Sequence, residues 1–126
     1  MKLATLVFWV ALATATDFQQ KGDSMTGFHC NVKAFTKEER VNYNELSAKL
    51  KVARISTQEL TDGYAFKLDP KQVSLAAVAE WVVAERKCCP FFTFEIGVEG
   101  ETGALTLSLK GREGVKPFIR MEFHIA

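Results

Sequence analysis

The sequence lacks the features that mark several large classes of protein. Its 16 basic and 15 acidic residues are spread over 126 positions and leave a net charge of +1, with no clustered run of Lys and Arg. A nucleic-acid-binding surface is therefore not expected, because such surfaces are built from basic stripes or patches. No apolar run reaches the ~20 residues of a membrane-spanning helix, so no stable membrane span is expected either.

Cysteine and histidine are also scarce. The chain has three cysteines and two histidines, without a C-x-x-C pair or a His-rich cluster. Such spacings would have indicated a familiar zinc or redox motif. The odd number of cysteines argues against a framework in which all of them pair within the chain. At least one thiol is therefore expected to be free, bound to an ion or paired with another chain.

The N-terminus is typical of an export signal. Lys2 precedes an uncharged apolar run over residues 3–13, and Ala13-Thr14-Ala15 offers a small-x-small cleavage site. We predict a signal peptide over residues 1–15 and a flexible lead-in over residues 16–27. The protein is then exported, either periplasmic or secreted, and the alternative is a cytoplasmic protein.

The rest of the chain, residues 28–126, is long enough for one domain with a single core. Hydrophobic residues make up 48% of the chain and charged residues 25%, which is ordinary for a folded protein. Periodicity along the chain predicts helix, hairpin, helix, hairpin, helix. This order indicates an α+β fold, in which two β-hairpins form a four-stranded antiparallel sheet with helices packed mainly on one face.

Short sequence signals predict where the helices begin and where the first hairpin turns. A capping box from Thr36 to Glu39 starts a helix that should run to about Val52. Asp62-Gly63 between β-prone runs predicts a hairpin whose turn needs positive φ. Asp69-Pro70 offers the start of the central helix, with Asp as cap and Pro at the first helical position.

The most informative stretch is Cys88-Cys89-Pro90, at the end of the central helix, where Pro90 disfavours helical geometry at Cys89. Glu85 lies three and four residues before the two cysteines, on the same helix face. That face is apolar, and an unpaired carboxylate is costly to bury there. Glu85 should therefore face a cavity that holds an ion or ligand, or have a basic partner, for which the candidates are Arg54, Arg86 and Arg120.

Adjacent cysteines cannot form an ordinary disulfide with each other, because their Cα atoms are held ~3.8 Å apart. They can bind one thiophilic ion with a third ligand, for which Cys30 is the natural candidate. The predicted metal site comprises Cys30, Cys88 and Cys89, with Glu85 and His29 nearby. Such a site suits mercury, copper(I), zinc or arsenite, so the expected partner is a small ion or small molecule.

This site makes a geometric prediction. The Cys30 sulfur should lie within ~7 Å of Cys88 or Cys89, close enough for shared ligation or a disulfide. The first helix should then run antiparallel to the central helix, with Glu85 facing the same cavity.

Two alternatives stay open. One is a thiol-dependent redox or detoxifying enzyme, in which Cys88 or Cys89 attacks and Glu85 shuttles protons. A helix C-terminus raises a thiol pKa, which counts against this alternative. The other is a non-catalytic binding or structural module whose cysteines only pack in the core.

Three motifs also carry a resemblance. They are E-R-x-C-C-P-F-x-x-F over residues 85–94, D-G-Y-x-F over 62–66 and G-V-K-x-F over 114–118. Together they resemble a group of small bacterial proteins of unassigned function, over roughly residues 28–120. Those relatives look cytosolic and lack the N-terminal apolar run. The resemblance supplies no activity, but it implies that four residues recur together: Cys30, Glu85, Cys88 and Cys89.

Overall fold

The computed structural model describes residues 27–126, and these form one small α+β domain, as predicted. The elements are α1 (Lys37–Ala53), β1 (Arg54–Leu60), β2 (Gly63–Leu68), α2 (Leu75–Cys88), β3 (Thr93–Val98), β4 (Leu105–Lys110) and α3 (Val115–Glu122). The predicted signal peptide, and all of the lead-in except Gly27, lie outside the described residues. Between residues 27 and 126, no helix is long and apolar enough to cross a membrane.

The four strands form one antiparallel sheet in the order β1-β2-β4-β3. Paired residues on the two central strands put the large apolar side chains on one face, where Tyr64 faces Leu109 and Phe66 faces Leu107. The three helices pack against this face, with Trp81 of α2 edge-on to Phe94 of β3. The predicted sheet and the predicted one-sided packing are therefore confirmed.

The first hairpin has the predicted position, but the prediction that its turn needs a positive φ at the glycine is wrong. Gly63 is not among the residues with positive φ. It pairs with Lys110 of β4, and a Cβ added to Gly63 would lie 1.9 Å from the Leu109 carbonyl oxygen. Glycine is required here because the backbones of two strands approach closely.

Helix α1 begins as predicted. The Thr36 hydroxyl accepts a hydrogen bond from the Glu39 amide at 3.2 Å, and the Glu39 carboxylate accepts from the Thr36 amide at 2.8 Å. The capping box thus satisfies two of the amides that a helix start leaves without partners. Leu46, Leu50 and Ala53 of this helix are buried against the core.

The predicted start of α2 is wrong. The helix begins at Leu75, and its cap is Ser74, whose hydroxyl accepts from the Ala77 amide at 3.1 Å. Asp69 instead closes a tight turn, because its carboxylate accepts from the Lys71 amide at 2.9 Å. An Asp side chain that accepts a hydrogen bond from the amide two residues ahead favours a turn over a helix. Asp69 therefore forms this turn and does not cap α2.

Candidate thiol site and the adjoining cavity

The sulfur atoms of the three cysteines lie within 4.8 Å of one another, as predicted. Cys30 and Cys89 form a disulfide with Cα atoms 4.9 Å apart, while Cys88 is free and buried. The expectation of three free thiol ligands therefore does not hold in this oxidised state. A site of three free thiols requires that this disulfide be reduced.

Backbone contacts bring Cys30 to the end of α2. The Asn31 amide donates a hydrogen bond of 2.9 Å to the Cys88 carbonyl. The ring of Phe28 packs edge-on against Phe91 at 5.1 Å between ring centres. These contacts hold the segment before α1 across the C-terminal end of α2.

The two long helices run antiparallel, which confirms the prediction. Contacts proceed in opposite directions along them, from Glu39 with Lys87 through Tyr43 with Glu85 to Ser47 with Trp81. The start of α1 therefore lies beside the end of α2, and Cys30, which precedes α1 by a few residues, lies beside the cysteine pair.

Helix α2 ends at the cysteine pair for a local reason. Cys88 is its last residue, and the Cys89 amide still donates to the Glu85 carbonyl at 2.6 Å. Pro90 then follows and cannot continue the helical hydrogen bonds. Burial, together with the nearby carboxylates of Glu85 and Glu122, raises the pKa of the Cys88 thiol to about 11. At neutral pH this thiol is protonated.

Glu85 is buried, with 2% of its surface exposed. The Tyr43 hydroxyl donates a hydrogen bond of 2.6 Å to its Oε2 atom. Burial raises the pKa of the carboxyl to about 7, although the bond from Tyr43 acts in the opposite direction. The same burial, together with the charge of Glu85, raises the pKa of Tyr43 above its ordinary value.

The described residues contain no ion pair to Glu85. Of the predicted basic partners, Arg54 donates to the Phe123 carbonyl at 2.9 Å. Arg120 donates to the Tyr64 hydroxyl at 3.3 Å, and Arg86 is exposed. The prediction of a basic partner is therefore wrong for residues 27–126. Glu85 lines a cavity instead, but no cysteine lines it, so the prediction that Glu85 and the cysteines face one cavity is also wrong.

That cavity has a volume of about 200 Å³. It lies between the facing sides of α1 and α2, the core face of the sheet and the end of α3. Its buried lining consists of apolar residues and one carboxylate: Leu50, Phe66, Leu68, Trp81, Leu107 and Glu85.

The other two predicted ligands lie apart from the sulfur cluster. Within the described chain, the ligand cluster consists of the three cysteines, without the Glu85 carboxylate or the His29 ring. His29 is exposed, whereas Glu85 is buried one turn before Cys88. Direct ligation by either residue stays a prediction.

Sequence reasoning did not identify Tyr43 as the partner of Glu85. Two features of the sequence contained the signal. Tyr43 recurs at helical spacing with Leu46, Leu50 and Ala53, which predicts that it lies on the buried face of α1, and α1 is predicted to run antiparallel to α2. Aligning the helices on Cys30 would have placed Tyr43 near Glu85. No comparable local signal marks Phe66 and Phe123, which reach the cavity from β2 and from the end of α3.

No family model, curated protein or solved structure matches this chain. The resemblance carried by the three motifs therefore stays a prediction, and the function must be argued from the geometry.

Proposed function

We propose that the protein, once its disulfide is reduced, binds a thiophilic metal or metalloid ion through Cys30, Cys88 and Cys89. The observation that carries this proposal is the convergence of the three sulfur atoms within 4.8 Å. Sulfur ligands favour soft ions. Around one ion with metal–sulfur distances near 2.3 Å, sulfur atoms lie roughly 4 Å apart, so small shifts would suffice.

The charge of the complex discriminates among the candidate ions. Three thiolates leave one net negative charge with Zn²⁺ or Hg²⁺ and two with Cu⁺, whereas with As(III) the complex is neutral. Cys88 and Cys89 are fully buried, and the Glu85 carboxyl lies one turn away. Because burying unpaired charge is costly, a neutral complex suits this position best. We therefore propose trivalent arsenic, supplied as arsenite, as the preferred ion.

The exchange reaction is balanced without free thiolates. Arsenious acid and three thiols give one tris-thiolate complex and three waters: three S–H and three As–O bonds break, while three As–S and three O–H bonds form. Arsenic stays trivalent throughout. The high pKa of Cys88, which disfavours a reactive thiolate, slows this exchange but does not oppose its equilibrium.

The disulfide makes binding dependent on redox state. While Cys30 and Cys89 are joined, one thiol remains and the three-sulfur site does not exist. A small dithiol reductant would open the site, becoming a disulfide itself as two thiols form. Disulfides persist in oxidising compartments, which supports the proposal that the protein is exported.

Ion binding can be tested by native mass spectrometry of reduced, chelator-free protein mixed with arsenite. We expect one arsenic per chain with the loss of three protons, and no arsenic on the disulfide form. The variant Cys88→Ser should lose two protons at most on binding and bind more weakly. Equal binding by the oxidised and reduced proteins, or no binding of arsenite, Hg²⁺, Cu⁺ or Zn²⁺ by the reduced protein, would contradict the proposal.

A second candidate is thiol–disulfide exchange. Cys88 lies within 4.8 Å of both disulfide sulfurs, so its thiolate could attack Cys30 and release Cys89 as the leaving thiolate. The raised pKa of Cys88 and its position at a helix C-terminus count against fast attack. Alkylation rates measured against pH would decide: a Cys88 pKa below that of an ordinary thiol would favour this candidate over ion binding.

A further inference from the structure

The volume of the cavity beside the thiols and the polar group in its lining limit which ligands it could bind. Its volume of about 200 Å³ is below that of pockets for drug-sized ligands, so it suits a smaller molecule. The polar group in its buried lining is the carboxyl of Glu85, of which Oε2 is bonded to Tyr43. The described chain shows no hydrogen bond to Oε1, and it has no fully enclosed side-chain oxygen or nitrogen without a partner. Oε1 is therefore not fully enclosed, and because Glu85 lines the cavity, this oxygen is the one left to accept from a ligand there.

Aromatic rings line the same cavity as this carboxyl. The rings of Tyr43 and Trp81 lie nearly parallel, with their centres 6.4 Å apart and their planes 17° apart. Phe123 lies edge-on to Trp81 at 6.1 Å and 5.5 Å from Phe66. Aromatic faces attract cations, most strongly where water is excluded.

The positive groups that border the cavity do not neutralise Glu85. Arg54 already donates to the Phe123 carbonyl and covers the Phe66 ring at 5.6 Å. Lys51 and His124 are exposed and border the cavity together with the exposed Glu122. Within residues 27–126, the lining of the cavity thus presents one buried carboxyl without a cationic partner.

We propose that the cavity binds a small organic cation: a primary ammonium group on a compact apolar or aromatic body, with the ammonium on Oε1 of Glu85 and the body among the rings. An anionic ligand would meet the carboxylate of Glu85, and a neutral apolar one would leave it without a partner. This inference does not rest on ion binding by the cysteines, because the cavity exists while the disulfide is formed.

Isothermal titration of the disulfide-bonded protein with 2-phenylethylamine tests the inference at about pH 8. At this pH Glu85, whose pKa is about 7, is ionised and the amine is protonated. The probes 2-phenylethanol and 3-phenylpropionate have the same ring with a neutral or an anionic group. We expect the amine to bind at least about tenfold more tightly than either, since its charge pairs with a buried carboxylate.

Two variants locate the site. Glu85→Gln, which keeps an acceptor for the Tyr43 hydroxyl, should lower amine affinity by at least about tenfold. Glu122→Gln removes a carboxylate at the exposed border and should change affinity by less than about threefold, because exposed pairs contribute little. Circular dichroism would verify that both variants fold. No saturable amine binding by the wild type, equal binding of alcohol and amine, tighter binding of the anion, or unchanged affinity in Glu85→Gln would each overturn the inference.

Discussion

The thiol cluster and the aromatic cavity are neighbours one turn apart on α2, but they are held together differently. The cluster depends on a covalent bond between Cys30 and Cys89 and on backbone contacts at a helix end. The cavity depends on side chains from both long helices, the sheet and the end of α3. A redox change can therefore transform the cluster, whereas the cavity responds to the charge and packing of Glu85.

The largest expected effect concerns the disulfide. Its cysteines are 59 residues apart, and the loss of chain entropy in the unfolded state corresponds to about 4 kcal/mol. Reduction should therefore lower the free energy of unfolding by about that amount, measured by urea denaturation with and without a dithiol.

The matched control is Cys30→Ser, which cannot form the bond. Its stability should be the same with and without reductant and close to that of the reduced wild type. If the wild type unfolds at the same urea concentration in both redox states, the disulfide does not hold the cluster together.

A smaller effect belongs to Glu85 and varies with pH. Burial raises the pKa of its carboxyl from 4.5 to about 7, so the folded protein keeps a proton that the unfolded chain has already lost. The stabilisation of the folded state by this proton is complete below about pH 4.5 and is lost as pH rises through about 7. The shift corresponds to about 3 kcal/mol between these limits.

Glu85→Gln should remove this pH dependence. The difference in free energy of unfolding between the variant and the wild type should therefore change in favour of the variant as the pH rises from 4.5 to above 7. Around Glu85, Tyr43 and Cys88 titrate far above this window, and Glu122 is exposed. Repeating the comparison in a His124→Gln background controls for the imidazole at the border of the cavity. An unchanged pH profile in Glu85→Gln would show that another group controls it.

The smallest effect concerns Tyr43→Phe. This change removes the hydrogen bond to Glu85, and bonds to charged groups contribute about 2 kcal/mol. The loss should appear above pH 7 and shrink at low pH, where the carboxyl is neutral. The pKa of Glu85, followed by NMR, should rise because the bond from Tyr43 lowers it. A Glu85 pKa that stays constant or falls in Tyr43→Phe would contradict this interpretation.

The thiol cluster could be predicted because its determinants are local. The spacing of Glu85 to Cys88, the helix-ending Pro90 and the capping box at Thr36 are each encoded within a few residues. Placing Cys30 beside the pair required one further assumption, a shared site, which also fixed the antiparallel arrangement of the two long helices.

The cavity and the start of α2 could not be predicted in the same way. Phe66 and Phe123 are distant in sequence, and their meeting depends on how far α3 extends over the sheet. At the start of α2, Asp69 and Ser74 are both good caps, and local rules did not choose between them. The oxidised state of Cys30 and Cys89 likewise depends on distance in the folded chain and not on sequence spacing.

Arsenic X-ray absorption spectroscopy would report directly whether the reduced protein holds an ion on three sulfur atoms. Reduced protein would be loaded with one equivalent of arsenite, with Cys88→Ser as the matched control. We expect three sulfur neighbours and no oxygen around arsenic in the wild type, and two sulfurs with one oxygen in the variant. An oxygen neighbour in the wild type, or identical spectra for the two proteins, would contradict this expectation.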